Sequence, residues 1–422
     1  MKKVLIVVST WKPCMMADMQ RARLIAGELP KFGWEAEILT PEASFQTDFS
    51  RVQGGGMEFP EVPVHEVAQW RPGLFRALGS RNVGIRATMP MRWRGLEVLQ
   101  SGRFDLVYFT TTKHWLTCNG AFWRRRTGVP YIADVHDPLF IKKKVYFVSR
   151  NRIKERIAKH LGRVVERLAV GRADGLVSVS EGYVEDLRGR YPQASWNTSN
   201  HVLVQPFPAD MPALHQMADG APREGAGDIV YIGAGGNIME RGWREFLRCL
   251  TVSTRKPLPA IDILGTDTTW REGGRRYLQD IAGEFGLGST IREEPARISY
   301  RDSIVKIRSA RGLLVLGVDD PHYRPSKLHT YLATGAPLLV TLHAESPLRT
   351  ILAVPGVHIV VFGPGEDCRE RNVREVDAYL ADVAAGKRWE TGRTFLEPEE
   401  SARVHARLFE TVRVSRGHAK VD

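Results

Sequence analysis

Short apolar runs recur along this chain, each entered from a turn or a helical stretch, and the series stops and restarts across residues 206–228. In the first half the runs are Val4–Val8, Ala36–Leu39, Leu106–Phe109, Tyr131–Val135 and Gly175–Val179. Runs this short and this uniformly apolar read as strands buried on both faces. Between them lie amphipathic stretches such as 17–32, where Leu24, Ile25 and Leu29 share one helix face. Strand–helix alternation predicts an α/β fold: a parallel sheet with helices on both sides. The first strand also accounts for the apolar N-terminus, whose run is too short for a leader peptide.

The segment 206–228 is rich in Pro, Gly and Ala, the composition of a linker. Beyond it a second series begins, with runs at Ile229–Ile232, Ile261–Leu264, Leu313–Leu316, Leu338–Val340 and His358–Val361. A chain of 422 residues is too long for one ordinary core. The expected organisation is therefore one doubly wound domain over 1–205, the linker, a second over 229–395, and a helix over 396–422 that packs back toward the first. Two stretches break the pattern. Residues 42–66 are polar and Gly-rich, which suggests a long loop, and residues 70–97 mix Arg with Trp, Phe and Met.

Charge divides the two halves. Residues 1–200 hold 31 Lys and Arg against 19 Asp and Glu, while 201–422 hold 29 of each. The whole net charge of +12 therefore sits on the first domain. That asymmetry points to an anionic partner for one domain only: nucleic acid, an anionic membrane or an anionic acceptor. No run of about 18 apolar residues exists, so no transmembrane helix is expected. Four cysteines without a CxxC pair argue against a disulfide framework or a zinc site and for a reducing cytosol.

The second domain opens on Ile229-Val-Tyr-Ile-Gly-Ala-Gly-Gly-Asn237, a strand running into Gly233, Gly235 and Gly236. Glycines at a strand end let backbone approach an anion. The sixth position of a dinucleotide fingerprint would be Ile238, which disfavours dinucleotide binding. Tyr323-Arg-Pro-Ser-Lys327 is a polar turn entering a helix that Gly335 closes, followed by the strand from Pro337. Ser326 and Lys327 at such a turn suit a diphosphate. In the first domain, Val129-Pro-Tyr-Ile-Ala-Asp-Val-His-Asp-Pro138 places Asp134, His136 and Asp137 at a strand end, where α/β domains bind ligands. Ser180 and Glu181 begin the helix after the Gly175 strand, and helix capping alone would explain both.

These motifs together resemble the GT-B glycosyltransferases, specifically the large retaining family 4 class. The resemblance runs from the first strand to about residue 365. It implies two Rossmann-like domains facing across a cleft, the second holding a nucleotide-sugar. The donor would be gripped by Gly233, Gly235, Gly236, Arg241, His322, Tyr323, Arg324, Ser326, Lys327 and Thr330. His136 and Asp137 would be the catalytic pair, near the transferred sugar and the acceptor. No metal and no further cofactor is implied, since a cation pair can neutralise the leaving diphosphate. Where the family carries Glu-x7-Glu, counted back from Gly335, this chain has His322 and Thr330. The implied acceptor is a saccharide or lipid-linked saccharide. The enzyme would be cytoplasmic, peripheral at the inner face of the membrane, with no nucleic-acid partner. The arginine-aromatic stretch 70–94 and Phe140-Ile-Lys-Lys-Lys-Val-Tyr-Phe147 suit an anionic bilayer surface. The alternatives left open are a degenerate GT-B protein that binds without turnover and a GT-B-like sugar-nucleotide epimerase.

Overall fold

A computed structural model describes residues 1–12, 14, 17–43, 57–70, 83–137, 139, 152–198, 200–216, 228–267, 274–363, 369–390 and 395–418. The chain divides into two compact units, one of Met1–Gly54, Glu58–Pro208 and Glu397–Asp422, the other of Gly55–Met57 and Ala209–Leu396.

The first unit is built on seven parallel strands: β1 (Lys2–Val7), β2 (Trp34–Pro41), β3 (Val64–Val67), β4 (Leu106–Thr110), β5 (Tyr131–Val135), β6 (Gly175–Ser178) and β7 (Val202–Val204). Their order in the sheet is β3-β2-β1-β4-β5-β6-β7. β1 and β4 carry continuous apolar runs because both faces are covered, and β5 is apolar apart from the buried Asp134. On one face Val107, Phe109 and Ala133 pack against Ala87, Met91 and Trp123. Trp123 and Phe109 stack with ring centroids 5.5 Å apart. On the other, the helix Pro398–His418 returns from the far end of the chain, and Phe409 sets its edge against Trp34 and Tyr108.

The second unit has six parallel strands: β8 (Ile229–Ile232), β9 (Ile261–Leu264), β10 (Ile291–Glu294), β11 (Gly312–Val315), β12 (Leu338–His343) and β13 (Val357–Phe362). Their order is β10-β9-β8-β11-β12-β13. The helices Glu240–Val252 and Arg369–Ala384 lie together against β12 and β13. In both sheets the order reverses beside the first strand, at β1/β4 and at β8/β11. Loops part at such a switch point, and ligands bind at the carboxyl ends of the strands there.

Three strands escape the sequence reading, and all three lie at sheet edges: β3, β7 and β10. An edge strand is covered by a neighbour on one side only, so it needs no continuous apolar run. β3 reads Val-His-Glu-Val and β10 reads Ile-Arg-Glu-Glu. Two further expectations are corrected. The supposed loop 42–66 contains the start of β3, and residues 83–97 of the arginine-aromatic stretch belong to the helix Val83–Ser101. Within the expected linker, Met211–Gln216 forms a helix of the second unit. The lysines at 142–144 lie outside the described residues, as do residues 71–82 of the aromatic stretch.

Candidate functional site

In the second unit the loop after β8 lies against the loop after β9. Gly233 donates its N–H to Leu264 O at 3.1 Å, and Gly235 donates to Thr266 O at 3.0 Å. A Cβ on Gly235 would stand 2.7 Å from Thr266 Cβ, so this glycine is required by loop packing. Gly236 has φ +117°, a conformation that suits glycine. The N–H groups of Gly233 and Gly235 are thus engaged inside the domain.

Lys327 occupies the switch point from the other side. It immediately precedes the helix Leu328–Leu332, and its Nζ donates to the carbonyl of Ile232, the last residue of β8, at 2.9 Å. Tyr331 Oη reaches the same carbonyl at 3.3 Å. Burial of the ammonium, with repulsion from Arg297, pushes the Lys327 pKa down to about 8. A cation whose hydrogen bond goes to a neutral carbonyl gains little from that partner, and an arriving anion would restore its charge. Arg297 was not anticipated from sequence. It follows the overlooked edge strand β10, and its Nε donates to Asp267 O at 3.3 Å. Its own pKa is lowered by burial.

Arg241 sits one residue into the helix after β8, exposed, with Nη1 2.6 Å from Asp319 Oδ2 in the loop after β11. Its charge is engaged by that carboxylate. His322, Tyr323, Arg324 and Ser326 form the half-exposed turn before Lys327, in which His322 N–H donates to Asp320 Oδ1 at 2.8 Å. Thr330 is buried, and its hydroxyl oxygen accepts from Asp210 N–H at 3.1 Å. The carboxylate of Asp210 in turn accepts from Tyr300 Oη. Beyond that contact the Thr330 hydroxyl keeps its proton and one lone pair. Asp210 and Tyr300 gave no signal in the sequence because their pairing spans 90 residues.

The first unit carries a buried polar network at the end of β5. Asp134 Oδ2 lies 2.8 Å from Arg21 Nε, 2.8 Å from Tyr108 Oη and 2.8 Å from His136 Nε2. Burial alone would raise the Asp134 pKa, but the Arg21 guanidinium, then His136, hold it well below the usual carboxylate range. Arg21 is anchored by the carbonyls of Gln205 and Pro206. His405, on the C-terminal helix, donates from Nδ1 to Ser401 O at 2.7 Å, and burial pushes its pKa down to about 3. His136 is 5% exposed, its edge against Phe207. Because Nε2 faces a carboxylate it carries the proton there, which leaves Nδ1 as the acceptor in the neutral ring. Among the described residues Nδ1 is buried and has no partner, and neither has the Oγ of Ser180 one strand away. Asp137 is exposed, with its carbonyl accepting from His114 Nε2 at 2.9 Å.

Among the described residues no group of three or more His, Cys, Asp or Glu is placed to hold a metal ion, and no helix is long and apolar enough to cross a membrane.

Two doubly wound parallel domains with these switch-point loops define a protein of the GT-B glycosyltransferase fold. Residues 20–196 match the family described as the glycosyl transferase 4-like domain. Among solved structures it is similar to sucrose-phosphate synthase from Thermosynechococcus elongatus, at 16% identity and TM-score 0.54, over 100% of this chain and 98% of that one. It is similar to Anabaena HepE in complex with UDP, at 14% identity and TM-score 0.53, over 99% of each chain. It also resembles the lipopolysaccharide outer core galactosyltransferase WaaB, at 12% identity and TM-score 0.55, over 97% of this chain and 99% of that one. Comparison with the curated proteins finds no match.

Proposed function

We propose that the chain is a retaining glycosyltransferase that moves a hexosyl group from a nucleoside-diphosphate sugar to an acceptor hydroxyl. The observation that carries this reading is Lys327, held at the β8/β11 switch point of the second domain with its pKa lowered and, among the described residues, its hydrogen bond going to a neutral carbonyl. Diphosphate there would restore the full charge of Lys327. As the sugar–phosphate bond breaks, negative charge on the diphosphate grows, so that contact strengthens in the transition state and raises rate as well as affinity. Arg297 supplies a second positive charge nearby. Arg241 would contribute once its carboxylate partner Asp319 yields to the diphosphate. No metal is needed for this neutralisation.

His136 and Asp137 would act on the acceptor side, His136 Nδ1 accepting from a sugar hydroxyl while Asp134 fixes its tautomer. A saccharide acceptor, free or lipid-linked and belonging to a cell-envelope polysaccharide, suits the basic first domain. The protein would work in the cytoplasm, at the inner face of an anionic membrane.

A second reading is favoured by one set of contacts: the amides of Gly233 and Gly235 and the guanidinium of Arg241 are all engaged. That arrangement fits a protein that binds a nucleotide-sugar without turnover. A thermal-shift panel of UDP, GDP, ADP, CMP and TDP with their sugars tests donor binding, because a ligand of the native state raises its melting temperature. UDP is the first candidate, since HepE was crystallised with UDP. Slow hydrolysis of the stabilising nucleotide-sugar separates the two readings. No stabilisation by any of the panel would overturn both.

A further inference from the structure

Arg86 lies in the first turn of the helix Val83–Ser101 and is 4% exposed. Its side chain makes no hydrogen bond or ion pair among the described residues, and its Nε is buried without a partner. Burial lowers its pKa, and no carboxylate offsets that effect. The other deeply buried arginines are tied down: Arg21 by Asp134 and two carbonyls, Arg23 by Gln20 and the carbonyl of Glu58. A buried charge without partners opposes folding, so its presence calls for something outside the protein that repays it.

Its surroundings say where that something would sit. Arg86 O lies 3.5 Å from the N–H of Trp70, three residues past the end of β3. Gln69 reaches from the same turn to the carbonyl of Glu42, one residue past β2, at 3.4 Å. Gln69 Oε1 is buried and also lacks a partner. Trp70 is 46% exposed. Arg86 therefore stands at the carboxyl edge of the first sheet, the edge that also carries His136, while its neighbour Ala87 packs into the core with Val67 and Met91. A planar guanidinium is suited to gripping a phosphate or carboxylate through two parallel hydrogen bonds. Gln69 Oε1 complements it as an acceptor for a hydroxyl. The excess positive charge of residues 1–200 favours the same kind of ligand.

We propose that Arg86 and Gln69 form a subsite for an oxyanion borne by the acceptor, a phosphate or carboxylate on a saccharide. That the oxyanion binds at Arg86 rests on geometry; that it belongs to an acceptor rests on the glycosyltransferase reading above.

The test is a thermal shift of the full chain with glucose 6-phosphate, glucuronate, glucose and UDP, for the unaltered protein, Arg86→Met and Arg86→Lys. Either anionic sugar should raise the melting temperature by about 2–4 °C near saturation, and glucose should not. Arg86→Met should abolish that rise and Arg86→Lys should reduce it. Without ligand, Arg86→Met should melt at or above the temperature of the unaltered protein, because it removes an unpaired buried charge while keeping an apolar stem in its place. Equal anion shifts in all three proteins, no anion shift in the unaltered one, or a lower ligand-free melting temperature in both variants would each overturn the proposal. The last result would assign Arg86 to structure. UDP should stabilise all three proteins alike. Failure of UDP to stabilise the unaltered protein would count against the donor reading and leave the anion comparison to decide Arg86 by itself.

Discussion

Lys327 links structure to chemistry through its pKa. The folded value of about 8 lies below the unfolded value of about 10.4. Between those two values the unfolded chain binds more protons at this site, so ligand-free stability should rise as pH climbs through that window. A diphosphate needs the charged form. UDP affinity should therefore be flat below about pH 8 and fall toward tenfold per pH unit above it. Isothermal titration from pH 6.5 to 9.5 reads this directly, and Lys327→Arg should shift the fall beyond that range. Thr330 supports a second prediction. From sequence, Thr330→Glu restores a family residue and should alter nucleotide preference. In the structure it would bury a carboxylate beside Asp210, which already accepts from Tyr300. The expected outcome is destabilisation by roughly 2–4 kcal/mol in denaturant unfolding. A variant as stable as the parent would show that the Thr330–Asp210 contact opens readily.

At the scale of elements, what was legible followed burial. β1, β4, β5, β8 and β11 are covered on both faces, and their apolar runs mark them in the sequence. The edge strands β3 and β10, reading Val-His-Glu-Val and Ile-Arg-Glu-Glu, carry no such run, and β7, though apolar, is only three residues long. The site was legible in the same uneven way. The turn to Lys327 and the end of β5 stood out as motifs, whereas Arg297 follows an edge strand and Asp210 acts through contacts far away in sequence. At the glycines after β8 the sequence carries no sign of whether backbone or ligand approaches, and the structure shows the N–H groups of Gly233 and Gly235 bonded to the loop after β9. The C-terminal helix offers a test of packing in the first unit. Phe409 is fully buried against Trp34 and Tyr108. Phe409→Ala should cost about 3–5 kcal/mol. A loss below about 1 kcal/mol would mean that this helix contributes little to the unit's stability.

For the molecule as a whole, charge is the property the sequence discloses most plainly and the fold explains least. The +12 sits on residues 1–200. Exposed Arg156, Arg163 and Arg167 share a face of the helix Arg152–Ala169 with exposed Val164, beside exposed Leu161. If that face meets an anionic bilayer, the protein should sediment with vesicles of phosphatidylglycerol and phosphatidylcholine and not with phosphatidylcholine alone. Each arginine near the surface contributes about 1 kcal/mol, so replacing all three by Gln should weaken binding by about a hundredfold. Equal sedimentation with neutral and anionic vesicles would contradict this.

The central claim is that the second domain holds a nucleoside diphosphate through Lys327. It is tested most directly by titrating UDP, and any better-stabilising diphosphate from the panel, into the unaltered protein and into Lys327→Ala at pH 7. A charge-assisted contact is worth about 1.5–3 kcal/mol, so the variant should bind about ten- to a hundredfold more weakly while keeping its fold by circular dichroism. Unchanged affinity in a folded Lys327→Ala variant would contradict the account.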